Sequence, residues 1–142
     1  MRQNEILDEL NKLETICQNI NKAGCYMLCL CYACFKEERN LEQVLSIYKT
    51  LIDYKWMDDD CYIKDPCSIL KYFTGNDWKV EKTHTYDEGA DIKIARFFNK
   101  RTGLNHFVLM QDEKTVLWDP IEDSVTVREG RIESWRLFYG VD

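Results

Sequence analysis

The sequence lacks an apolar run long enough to cross a lipid bilayer. Its longest run covers residues 23–35, Gly24 included, and has 13 residues, whereas a membrane-spanning helix needs about 20. The first residues lead into an acidic amphipathic pattern, without the basic start and apolar centre of a secretion signal. We therefore expect a soluble protein with no membrane partner and no cleaved signal.

Basic residues are fewer than acidic residues. The chain has 19 Lys and Arg residues against 25 Asp and Glu residues, which gives a formal net charge of -6. Such a balance provides no electrostatic attraction to a phosphate backbone. Nucleic acid is therefore not an expected partner.

Cysteine is abundant, but its number and spacing do not fit a secreted disulfide framework. There are seven cysteines, and four of them lie within residues 25–34: Cys25, Cys29, Cys31 and Cys34. Disulfide frameworks usually have an even number of cysteines spread between loops. Cysteines on one helix pack as small apolar residues when they are reduced, and no second ligand pair stands at a zinc-like spacing. The sequence predicts a cytoplasmic protein without a metal or another cofactor.

Internal repeats, low-complexity tracts and linkers are absent as well, and 142 residues suit one domain over residues 1–142. Apolar spacing and turn residues predict helices over residues 5–17, 24–38, 41–54 and 66–73, the last with Asp65 as its N-cap. They predict strands over residues 78–86, 92–99, 105–111, 115–118, 124–128 and 131–139, with hairpin turns at 101–103 and 128–130. This order indicates an α+β fold, in which N-terminal helices, one of them buried and central, pack on a C-terminal antiparallel sheet.

Only two histidines occur, and His106 is the one with a predicted carboxylate neighbour. If the chain reverses at residues 112–113, His106 lies directly opposite Asp119, with Cβ atoms about 5 Å apart. Asp119 would then orient the imidazole, as the carboxylate of a catalytic triad does. A turn longer by one residue would place Pro120 opposite His106 instead. The other histidine, His84, has polar neighbours and is expected in solvent.

Cys25 is the cysteine with the strongest signal for chemistry. It follows Gly24 at a break in the helical pattern and therefore opens the buried helix. A helix N-terminus and a neighbouring imidazolium both lower the pKa of a thiol, and the thiolate is the nucleophile. The simpler interpretation is a small core residue, as most buried cysteines are. The predicted pair of His106 and Asp119 favours a nucleophile.

Three short motifs together resemble the papain-like cysteine peptidase superfamily, in particular its compact bacterial and phage members related to the bacteriocin-processing peptidases. These motifs are Gly24-Cys25-Tyr26 at a helix start, His106-Phe107-Val108 opening a strand, and Asp119-Pro120 closing the next strand. The resemblance implies a papain-like fold and a cysteine hydrolase, a peptidase or amidase that forms an acyl-thioester on Cys25. It also implies a peptide or protein substrate and no cofactor.

The same resemblance draws attention to the oxyanion site. The family usually places a glutamine six residues before the nucleophile, whereas here Asn19 has that spacing and Gln18 lies seven residues before Cys25. Either side chain could serve, and loss of such a donor costs about 3 kcal/mol of transition-state stabilisation. The sequence therefore leaves open a weak or inactive relative that acts as a protein-interaction or inhibitor module, of phage or mobile-element origin. An acyltransferase or transglutaminase using the same triad is a third alternative.

Overall fold

The computed structural model describes residues 1–122 and 124–141. In this part of the chain, four helices come first: α1 (Gln3–Ala23), α2 (Cys25–Phe35), α3 (Leu41–Asp53) and α4 (Pro66–Thr74). The strands are β1 (Asp77–Thr83), β2 (Ile92–Asn99), β3 (Leu104–Met110), β4 (Val116–Trp118) and β5 (Arg131–Val141), and a short helix α5 (Val125–Glu129) separates β4 from β5. Within these ranges, no helix is long and apolar enough to span a membrane.

The strands form an antiparallel sheet in the order β1-β5-β2-β3-β4. β5, the last strand of the chain, lies between β1 and β2. α2 packs on β3, and α4 packs on β1. The predicted α+β fold, with N-terminal helices on a C-terminal antiparallel sheet, is confirmed.

α2 is the buried central helix that the sequence predicts. Met27, Cys29 and Leu30 are fully buried in the core between the helices and the sheet. The helix is apolar on nearly every side, which is why it occupies the centre of the molecule. It ends at Phe35, three residues before the predicted end, because Lys36 adopts a left-handed conformation with φ of 57°.

α1 is longer than predicted. The sequence predicts a break from residue 18, but the helix continues to Ala23. Ile16 and Ile20 in this extension pack against the core, and tertiary packing outweighs the weak helix preference of the asparagines around them. Gly24 alone then joins α1 to α2.

Residues 124–128 form no strand, contrary to the prediction. Residues 125–128 belong instead to α5, and Ser124 caps this helix by accepting a hydrogen bond from the Val127 N–H at 3.4 Å. The β-branched side chains of this segment suggest a strand, but the Ser124 cap and packing against β2 and β3 favour a helix. The predicted hairpin turn at 128–130 is therefore wrong, whereas the turn at 101–103 joins β2 to β3 with Gly103 at φ of 71°.

The hairpin of β3 and β4 forms in a different register from the predicted one. Met110 pairs with Val116, and Leu109 pairs with Trp118, so a bulge follows a wider turn. The Asp112 carboxylate shapes this turn by accepting hydrogen bonds from the N–H groups of Lys114 and Thr115 at 2.8 and 2.7 Å. Asp119 lies beyond the end of β4, and the direct cross-strand pairing of His106 with Asp119 is therefore wrong.

Gly24 sets the corner between α1 and α2, and its replacement gives our first prediction. A Cβ atom at this position would lie 2.5 Å from the backbone oxygen of Ile20 and 2.9 Å from its Cγ2. Because the backbone must move to relieve this clash, we expect Gly24→Ala to lower the free energy of unfolding by about 1–3 kcal/mol. Urea denaturation measures the change.

Gly140→Ala is the matched control for this prediction. A Cβ atom at Gly140 would meet only Asp91 Oδ2, at an ordinary 3.5 Å, and we expect a change of less than about 0.5 kcal/mol. Equal urea midpoints for the two variants would contradict the tight corner at Gly24.

Candidate active site

Cys25 is the first residue of α2, and its side chain is partly exposed. The preceding Gly24 has no side chain, and no side chain of residues 1–122 and 124–141 caps this helix. The first N–H groups of a helix have no partner within it and carry partial positive charge. The Cys25 sulfur therefore lies where a negative charge is favoured.

His106, on β3, is only 4% exposed, and Asp119 holds its ring. The distance from His106 Nε2 to Asp119 Oδ1 is 2.6 Å. The same oxygen accepts the Ile121 N–H at 2.9 Å, which fixes the carboxylate. With Nε2 bound to Asp119, Nδ1 is the ring nitrogen left to face Cys25. The wider hairpin turn and the bulge thus still bring His106 and Asp119 together.

The electrostatic effects of Cys25 and His106 on each other are reciprocal. Burial raises the pKa of Cys25, but a hydrogen bond to His106, its charge, and the N–H groups of Phe107 and Tyr26 together bring that pKa below its usual value. Burial lowers the pKa of His106, but hydrogen bonds and charge attraction from Cys25 and Asp119 outweigh it, and the net pKa is raised. Both shifts favour a thiolate beside an imidazolium.

The pKa values of five other cysteines are shifted upward, in the direction opposite to that of Cys25. Burial raises the pKa of Cys31 and of Cys34 to about 12. It also raises the pKa of Cys61 to about 11, and the pKa values of Cys29 and Cys67 move upward for the same reason. A thiol with a raised pKa is protonated and inert at neutral pH. Cys25 is therefore set apart from these five cysteines by its contact with His106.

Cys25 lies between two cavities. One, of about 370 Å³, is lined by His106, Leu28 and Val44 among others, and the second, of about 460 Å³, is lined by Tyr26, Phe107 and Arg136 among others. Cys25 lines both. A chain molecule bound across the sulfur could therefore place one part in each cavity.

Comparison with protein families settles the membership of the chain. A family model described as a protein of unknown function, DUF261, matches residues 7–140. The chain belongs to the DUF261 family. No curated protein and no solved structure matches it. The match includes Cys25, His106 and Asp119, so the candidate site lies within the part shared with the family.

In this DUF261 protein, both predicted oxyanion residues are engaged elsewhere. Gln18 is exposed on α1, where its amide donates to Glu14 at 3.4 Å. The Asn19 amide donates to the backbone oxygen of Asp59 at 3.2 Å and also hydrogen-bonds the Tyr48 hydroxyl. Asn19 thus ties α1 to α3 and to the acidic turn at 58–60. Neither amide lies among the residues that line the two cavities at Cys25.

Sequence reasoning missed Arg136 and Lys82, which line the same cavity as Cys25. They lie directly opposite each other on β5 and β1. The alternation of side chains along a strand predicts which residues share a face with Lys82 on β1 and with Arg136 on β5. It does not predict that β5 pairs with β1, and only this pairing brings the two residues together.

In the DUF261 chain, excluding residues 123 and 142, no three His, Cys, Asp or Glu side chains form a group able to hold a metal ion. The side chains that the structure does bring together are Cys25, His106 and Asp119. Cys25 can form a nucleophilic thiolate, His106 can move a proton, and Asp119 can hold the imidazole in one orientation.

Proposed function

We propose that this DUF261 protein is a cysteine hydrolase with a papain-like fold, acting in the cytoplasm on an amide bond of a peptide or protein. The supporting observation is the opposite pKa shifts of Cys25 and His106 in one contact, with Asp119 bound to the far side of the imidazole. A nucleophile beside a base that a third group orients is the arrangement of acyl-transfer enzymes.

The proposed reaction runs in two steps. The Cys25 thiolate attacks the substrate carbonyl, the C–N bond breaks, and the His106 imidazolium gives its proton to the leaving amine. Water then attacks the thioester while His106 takes a proton from it, which releases a carboxylic acid and restores the thiol. Asp119 keeps the ring oriented through both steps because its carboxylate accepts the Nε2–H.

The oxyanion that forms in each step needs donors. The Cys25 N–H at the start of α2 can serve as one, since no side chain in the described part of the chain caps this helix. Gln18 and Asn19 would have to leave their present partners to provide a second. We therefore expect turnover below that of an enzyme with a complete oxyanion site.

Alkylation by iodoacetamide tests the nucleophile. We expect Cys25 to be modified first among the seven cysteines at pH 7, at least about tenfold faster than any other, because its pKa is lowered. Tryptic peptides analysed by mass spectrometry over time give the rate at each cysteine. Similar rates at all accessible cysteines would count against the proposal.

Acylation by p-nitrophenyl acetate tests the thioester step. The expected result is acetylation of Cys25 followed by hydrolysis that regenerates the thiol, with no turnover in Cys25→Ser. Stable acetylation without deacylation would argue against a hydrolase.

A second candidate function is an interaction or inhibitor module with the same three side chains. It is favoured by one observation, that the side-chain amides of Gln18 and Asn19 both have hydrogen-bond partners other than Cys25. A thiol that alkylates no faster than Cys17, together with full biological effect in Cys25→Ser, would favour this candidate.

A further inference from the structure

The second cavity beside Cys25 carries two cations whose charges face each other. Lys82 on β1 and Arg136 on β5 are direct partners in the register of the sheet, and both line the cavity. Directly opposed residues share a face with their Cβ atoms about 5 Å apart, and like charges in that position are destabilising. An arrangement of this kind becomes favourable when an anion lies between the two cations.

Neither cation forms an ion pair with a carboxylate of residues 1–122 or 124–141, where the ion pairs found use other residues. The nearby Glu133 is bound to Arg96 at 2.8 Å. Asp60 is an acidic residue that lines the cavity, and its Oδ1 accepts the Tyr62 N–H at 3.1 Å. Two cations against one carboxylate leave the cavity with an excess of positive charge.

The Arg136 guanidinium is held in place with one edge available. Its Nη1 donates to the Ser134 hydroxyl at 2.9 Å and to the Trp135 carbonyl at 3.5 Å. Its central carbon lies 5.3 Å from the centre of the Phe107 ring, which in turn stacks on Tyr26, the residue after Cys25. Nη2 and Nε are the donors that remain, and these two form the fork that binds a carboxylate through both oxygens.

His106 determines which part of a substrate this cavity would receive. The imidazole must give its proton to the leaving amine, and His106 lines the other cavity. The leaving group therefore belongs beside His106, and the acyl part belongs in the cavity of Arg136 and Lys82.

We infer that the acyl side of the substrate carries a carboxylate, which Arg136 binds through both oxygens and Lys82 attracts. The substrate class is an acidic peptide or amide, with an acidic side chain or carboxylate on the side of the carbonyl that becomes the thioester. This inference rests on the proposed function, since it assigns the two sides of the cleft from the direction of acyl transfer.

A matched pair of alkylating probes tests the inference without a known substrate. N-iodoacetyl-β-alanine carries a carboxylate, and its carboxamide analogue has nearly the same shape without charge. We expect wild-type Cys25 to react about fivefold faster with the anionic probe, a preference that weakens with added salt. Arg136→Gln should remove the preference, so that Cys25 of the variant reacts with the two probes at about the same rate.

Lys82→Gln is the second variant, and Lys79→Gln is the control. Lys82 is exposed at the edge of the sheet, so its loss leaves folding intact and should reduce the preference about twofold. Lys79 is on the same strand but on the opposite face, and its replacement should change nothing. If Arg136→Gln unfolds, the Lys82→Gln ratio decides, and an unchanged ratio overturns the inference.

The failures of the two proposals are distinguishable. Slow reaction of wild-type Cys25 with the neutral probe contradicts the proposed hydrolase. Fast reaction with the neutral probe, but the same anionic-to-neutral ratio in wild type and Arg136→Gln, contradicts only the carboxylate site. An equal loss of rate with both probes in Arg136→Gln would assign Arg136 to positioning Cys25 and would also overturn the carboxylate site.

Discussion

Replacing His106 with alanine should slow the alkylation of Cys25 by iodoacetamide about tenfold at pH 7. In the wild type, burial raises the thiol pKa, and the hydrogen bond to His106 is the largest of the effects that lower it, with the charge of His106 adding to it. Without the imidazole, only the N–H groups of Phe107 and Tyr26 oppose burial, so the pKa must rise. For each unit by which the thiol pKa rises, the thiolate fraction falls by up to about tenfold, whereas the logarithm of the thiolate's intrinsic reactivity rises by only about 0.4–0.5. The rate of alkylation therefore falls.

The pH profile provides the sharper measurement. The alkylation rate of wild-type Cys25 should reach half its maximum below pH 9.0, the ordinary value for this thiol, because the net pKa is lowered. In His106→Ala the midpoint should move to higher pH. Rates measured from pH 5 to 10, with each cysteine resolved by mass spectrometry, give both midpoints.

His84→Ala is the control for this experiment. His84 is exposed, and its Nδ1 lies 2.8 Å from the Glu133 carbonyl oxygen, away from the candidate site. Its removal should leave the Cys25 profile unchanged. Identical profiles for His106→Ala and wild type would mean that the imidazole does not activate the thiol, and the hydrolase proposal would fail.

The position of Cys25 could be predicted from the sequence because its signals are local. Gly24 interrupts two helical patterns, and the residue after it must open the second helix. The burial of α2 was equally predictable, since an apolar helix with no polar face has to lie in the core. The chemical role of Cys25 stays a prediction.

The sequence predicts a contact between His106 and Asp119, and the structure has this contact, but not through the direct cross-strand pairing on which the prediction was based. A tight two-residue turn would pair them directly, but Asp112 forms a wider turn and a bulge follows it. Asp119 then lies past the end of β4, where its side chain can still reach the ring at 2.6 Å. The geometry of this turn depends on hydrogen bonds to the Asp112 carboxylate, and the alternation of apolar residues along the strands does not predict such hydrogen bonds.

The sequence does not predict which residues that are distant along the chain become neighbours in the structure. The pairing of Lys82 with Arg136 joins residues 54 positions apart, through a strand order in which β5 lies between β1 and β2. The Asn19 contact with Asp59 spans 40 positions for a similar reason. Local patterns fix the type of an element and the face of each residue, but they do not choose its neighbours.

Asp119→Ala should weaken both the site and the fold, whereas Asp119→Asn should preserve much of the geometry. The alanine variant leaves the His106 ring, which is 4% exposed, without its hydrogen-bond acceptor, at a cost of about 1–3 kcal/mol in the free energy of unfolding. In the asparagine variant, the side-chain oxygen can still accept the His106 Nε2–H and the Ile121 N–H. Thermal unfolding and the alkylation profile of Cys25 distinguish the two variants.

Both variants lose the negative charge of Asp119. The direction of the pKa shift of His106 determines at which pH this loss destabilises the fold more. Because the pKa of His106 is raised in the folded state, its imidazolium contributes stability that is present below about pH 6.5 and lost as the pH rises through the folded pKa. Removing the Asp119 charge should therefore destabilise the fold more at pH 6 than at pH 9. Asp112→Asn, which alters a carboxylate in the turn between β3 and β4, should lack this trend through His106. A loss of stability that is the same at both pH values would mean that Asp119 holds the ring by geometry alone, and that its charge does not favour the imidazolium required for acyl transfer.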